Sequence, residues 1–111
     1  MSMKKLKLNA LQNKTLALFQ ELARSPETSS AIEGTDDVSV MFIPTPHGDH
    51  VHIGNFVVSA QDASGFTNEK VWLALERKGL AKSEYPYRLI LTKAGIDYKT
   101  GFLREFEVSD H

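Results

Sequence analysis

The sequence predicts a single α+β domain, and three observations carry that prediction. Leu8, Leu11, Thr15, Leu18, Phe19 and Leu22 recur at the three-four spacing of one helical face. Val38–Ile43 (VSVMFI) is rich in branched and aromatic residues, as is the later run in which Tyr87, Leu89 and Leu91 alternate with Arg88, Ile90 and Thr92. Gly79 follows a second helical pattern at the place where a helix end favours a left-handed residue. With 111 residues, the chain is long enough for one domain and one modest core.

The first helix is expected over residues 9–24. Asn9 can cap it, because its side-chain oxygen can accept a free amide of the first turn. Ser25-Pro26 ends it, since a residue before proline is pushed out of the α region. Its leucine stripe must be covered. Residues 26–37 are polar and acidic and predict a mobile loop, near the upper length for a connection without structure. Val38–Ile43 is then expected to form a hairpin with a strand through Val51, Ile53 and Val57. Pro44, Pro46, Gly48 and Asp49 would make the turn, and Gly54-Asn55 a bulge or bend.

Ser59–Ser64 reads as a short polar helix, leading through Gly65 into a helix opened by Thr67 and ended by Gly79. On that helix Asn68, Val71, Trp72 and Leu75 share one side. Glu69, Lys70, Leu73, Glu76 and Arg77 share the other. Trp72 on the apolar stripe belongs to the core rather than to a stacking platform, and it should pack with Leu18, Leu22, Leu75 and Leu91. A second two-stranded turn has Tyr85-Pro86 near its tip. Thr92 can cap a last helical turn, and Gly101–Val108 is a final strand or an extended tail.

The net charge of −1 gives no global field toward nucleic acid. The charge is segmented, however: no Lys or Arg lies between Ser25 and Thr67, and cations flank that acidic stretch on both sides. The chain has no cysteine, so disulfides and thiolate metal sites are excluded, in keeping with a reducing compartment. Asn9, Gln12, Asn13 and Lys14 interrupt the apolar positions of the N-terminal segment. No membrane span or signal-peptide core is expected, and the protein reads as cytoplasmic.

Leu75-Glu76-Arg77-Lys78-Gly79-Leu80, followed by Arg88-Leu89-Ile90-Leu91-Thr92-Lys93-Ala94-Gly95, resembles the recognition helix and returning wing of bacterial winged helix-turn-helix domains. Leu11–Ala23 resembles their first helix. The resemblance covers roughly two-thirds of the chain and is strongest over residues 59–95. It implies a winged-helix-like domain in which residues 26–56 are an insertion carrying an acidic loop and a β-hairpin. It also implies a small binding module without catalysis, regulatory in character, that meets duplex DNA through the helix after Thr67 and the wing. The residues placed to do so are Asn68, Lys70, Arg77, Lys82 and Arg88. Glu69 and Glu76 oppose phosphate, and exposed Leu73 suits a protein partner or a homodimer, so protein contact stands as the alternative.

His47, Asp49, His50 and His52 lie together in PHGDHVH, and imidazole with carboxylate can hold a transition metal. The plainer reading is a polar turn whose glycine and aspartate serve its shape, and no metal or cofactor is expected. Asp36-Asp37 is a carboxylate pair in the acidic loop, with no shared task. No phosphate-binding glycine loop and no nucleophile elbow is present.

Overall fold

In a computed structural model of the chain, the described residues are 7–45, 48–54, 56–101 and the backbone of 107–108. Helix α1 (Ala10–Ala23) opens at Asn9, as expected. The Asn9 carboxamide oxygen accepts the Gln12 amide at 2.8 Å, and the Gln12 side chain accepts the Asn9 amide at 3.1 Å. Each side chain thus satisfies an amide that the helix leaves free. The buried surface of α1 is wider than one stripe. All residues from Thr15 to Phe19 are buried, with Leu22, because different elements close on different sides of the helix.

The expected loop of residues 26–37 is in part a strand. Thr28 Oγ1 donates to the Leu22 carbonyl at 2.6 Å, and Ser29 Oγ donates to Ser25 at 2.7 Å. These hydroxyls satisfy the carbonyls at the end of α1 and bring the chain back along it as β1 (Ser29–Ala31). Strand β2 (Val38–Val40) is shorter than VSVMFI, and its partners are not those expected. It lies between β1 and β6 (Arg88–Leu91) in a four-stranded antiparallel sheet of order β1-β2-β6-β5, where β5 is Ala81–Glu84. The hairpin of the middle segment forms instead from β3 (His50–Ile53) and β4 (Phe56–Ser59). Gly54, at φ 57°, therefore belongs to a turn and not to a bulge. Strand β7 (Glu107–Val108) pairs with β4 to complete a second, three-stranded sheet. The rest of the expected final strand, residues 102–106, lies outside the described residues.

Ser59–Ser64 forms no α-helix. Ser59 ends β4, a turn follows, and a 3₁₀ helix spans Ser64–Thr67 with Gly65 and Phe66 buried. A Cβ at Gly65 would overlap the Thr15 side chain, so the close approach to α1 depends on glycine there. Helix α2 is Glu69–Arg77 and is opened by Asn68, not Thr67. The Asn68 side chain accepts the Lys70 amide at 3.1 Å, while Thr67 Oγ1 donates back to Ser64 within the 3₁₀ turn.

Gly79 ends α2 at φ 75°. Its amide bonds Glu76 O at 2.9 Å and that of Leu80 bonds Leu75 O at 3.0 Å, with Leu75 and Leu80 both fully buried. This is the paired-carbonyl ending that the sequence anticipates. On β6 the expected alternation fails. Leu89, Ile90 and Leu91 are all buried, because β6 is an interior strand covered on both faces, and Tyr87 is out in solvent. Thr92 caps α3 (Lys93–Asp97) by accepting the Gly95 amide at 3.2 Å.

Leu18, Leu22, Trp72, Leu75 and Leu91 belong to one buried cluster, as expected, together with Phe19, Leu80 and Leu89. Side-chain amides of α1 join it to the far end of the chain. Gln20 Nε2 donates to Gly95 O at 2.8 Å and to Tyr98 O at 2.7 Å, and Asn13 Nδ2 donates to Thr100 O at 3.0 Å.

Candidate functional site

Helix α2 is held by its inner face. Trp72 is fully buried, with Phe19 and Tyr85 edge-on to it at ring-centre distances of 5.4 and 4.9 Å. Val71, Ala74 and Leu75 are buried beside it. Glu69, Lys70, Leu73, Glu76 and Arg77 are exposed, so the division read from the sequence holds. Lys70, Arg77 and the half-buried Lys78 make no ion pair among the described residues. Glu76 is not a free carboxylate: its Oε1 accepts the Ser83 amide at 2.6 Å, which turns it toward β5.

The hairpin β5–β6 differs from expectation in its charges. Glu84 and Arg88 are register partners across the turn. Arg88 donates through Nε at 2.7 Å and Nη2 at 3.2 Å to the two Glu84 oxygens, and through Nη1 to Ser39 Oγ at 3.4 Å. That hydrogen bond and the accompanying charge attraction hold the Glu84 carboxyl below its ordinary value and raise the Arg88 guanidinium above its own. Lys82 lies 3.7 Å from Asp37, on the acidic segment before β2. Asn68 uses its side chain as a cap. Of the five residues singled out for DNA, Lys70 and Arg77 have no ion pair among the described residues, and the other three have side-chain partners within the chain.

The sequence reading passed over an aromatic surface at the same hairpin. Tyr87 is 81% exposed and Phe42 68%. Phe42 follows β2 by two residues and Tyr87 precedes β6 by one, so both leave the same end of these antiparallel strands. Beside them is an apolar cleft of about 310 Å³, lined by Ile43, Pro44, Phe66, Tyr85 and Pro86. The Tyr85 hydroxyl donates to Thr67 O at 3.0 Å at its margin. Three separate segments build this cleft, and the sequence reading placed Tyr85-Pro86 only near a hairpin tip.

His50 and His52 extend from β3 with ring centres 5.2 Å apart and planes at 84°. Asp49 Oδ1 lies 3.3 Å from His50 Nδ1. His47 lies outside the described residues. Among the described residues no three acidic, histidine or cysteine side chains are placed to share one ion. Asp36 is exposed, and Asp37 faces Lys82 at 3.7 Å. Among the described residues no helix is long and apolar enough to cross a membrane. No family model, curated protein or solved structure matches the chain.

Proposed function

We propose that the chain is a winged-helix-type binding module that meets duplex DNA through the outward face of α2. The observation that carries this reading is the pair of exposed cations Lys70 and Arg77, seven residues apart on one side of α2, with the Glu76 carboxylate turned toward β5 by the Ser83 amide. Glu69 and Glu76 both keep negative charge on that face, which holds the affinity down. The order of elements supports the wing assignment: β2 pairs with the returning strand of the β5–β6 hairpin, and α2 precedes that hairpin directly. The β3–β4 hairpin stands as an insertion between α1 and α2. Phosphate contact supplies the affinity, so binding is modest and falls with salt at a logarithmic slope near −0.9 per phosphate. Anisotropy of a labelled random duplex at two salt concentrations tests it.

Protein contact is the second reading, favoured by Phe42 and Tyr87 at the wing and by Leu73, 39% exposed, on α2. No DNA binding at low salt, together with a dimer that Leu73→Glu or Tyr87→Ser dissociates, would decide for it.

A further inference from the structure

We infer that His50 and His52 are a chelating pair for one divalent transition-metal ion, with Asp49 orienting the His50 ring. The backbone sets the pair. Val51 and Ile53 are buried, so the residues between and before them, His52 and His50, share the opposite face of β3. Strand β3 is the edge of its sheet, with no strand beyond it among the described residues. Its register is held by Val51 opposite Val58 and by the Ala60 amide on Asp49 O at 2.8 Å. The two imidazoles therefore stand on a braced hairpin.

Their edge-to-face separation is compatible with a shared ion. Two imidazoles that ligate one tetrahedral ion at about 2.0–2.1 Å per bond place their ring centres about 5 Å apart. The observed separation is 5.2 Å, with the rings perpendicular and not stacked. Asp49 supplies the outer partner that a ligating histidine needs. At 3.3 Å its carboxylate is placed to accept from His50 Nδ1–H, which leaves Nε2 as the electron-pair donor. Imidazole donors select zinc, nickel or copper(II) over magnesium and calcium, which take oxygen ligands. Two protein ligands leave the remaining coordination positions to water or to a group brought by another molecule. The pair is on β3 and shares no residue with the α2 face, so it stands or falls independently of the DNA reading.

The test is titration of the full chain with nickel or zinc chloride alone, followed by calorimetry and by the imidazole C–H signals in NMR. The expected result is one ion per chain, with the His50 and His52 signals moving together. His50→Gln and His52→Gln should each weaken binding by roughly tenfold or more, and Asp49→Asn by about tenfold, as loss of an orienting partner does. Asp49 and His52 are exposed and His50 is half-buried, so the melting temperature of each ion-free variant is read beside its ion affinity, and a parent-like value shows that the fold is kept. Absence of binding at millimolar ion would overturn the proposal. So would binding that survives both His50→Gln and His52→Gln while failing in His47→Gln or His111→Gln.

Discussion

The indole N–H of Trp72 donates to the Gly65 carbonyl at 3.1 Å, joining the buried side of α2 to the 3₁₀ turn that precedes it. Both partners are buried, so neither has water as a substitute. Trp72→Phe keeps most of the apolar contact but leaves the carbonyl unpaired. It should cost about 1–3 kcal/mol, the usual penalty for a buried unsatisfied group. Gly65→Ala should cost about as much by overpacking against Thr15. Denaturant melts of the two variants check this, and a loss below about 0.5 kcal/mol in either would contradict it.

Leu75 and Leu73 are two residues apart and have opposite fates. Leu75→Ala should destabilise by about 2–5 kcal/mol, because Leu75 is fully buried against Leu80 and the core. Leu73→Ala should lie within about 0.5 kcal/mol of the parent, as for other surface changes. A reversed order would mean that α2 is turned about its axis.

The Glu84–Arg88 pair makes a statement about acid. A carboxyl whose folded value is depressed contributes stability above its unfolded value and loses it as pH falls through the folded value. Glu84 is of this kind, so its contribution begins to fade below about its ordinary 4.5. In an NMR pH titration its carboxyl midpoint should fall below 4.5 and return to it in Arg88→Ala. A midpoint unchanged by that substitution would show that the pair does not persist in solution.

The same pair separates two cations in the DNA assay. Arg77→Ala should weaken binding to every duplex and flatten the salt slope by about one unit. Arg88→Ala should leave the slope unchanged, since Arg88 is held by Glu84 and Ser39. A slope that responds to Arg88 and not to Arg77 would place the contact on the wing instead of on α2.

Much of the fold was legible where side-chain chemistry is local. The Asn9 cap, the Gly79 ending, the Thr92 cap and the inner face of α2 depend on neighbours within one or two turns. Strand β1 was not legible, because Ser29, Ser30 and Ala31 carry no apolar alternation and are recruited by hydrogen bonds to the end of α1. The pairing of β2 with β6 joins residues far apart in sequence, and local pattern favoured the nearer hairpin. For the candidate site, the exposed cations of α2 followed from the helical wheel. The capture of Arg88 by Glu84 required the strand register, and the Phe42–Tyr87 surface required both sheet partners.

The amides of Gln20 and Asn13 carry a consequence for the order in which the molecule folds. Both amides sit on α1, yet the carbonyls they bind belong to Gly95, Tyr98 and Thr100, 75 to 87 residues away along the chain. Contacts of such long sequence separation close late and slow folding. That flank of α1 is therefore among the last surfaces to close, and its stitches form only once the segment from α3 to Thr100 has docked against it.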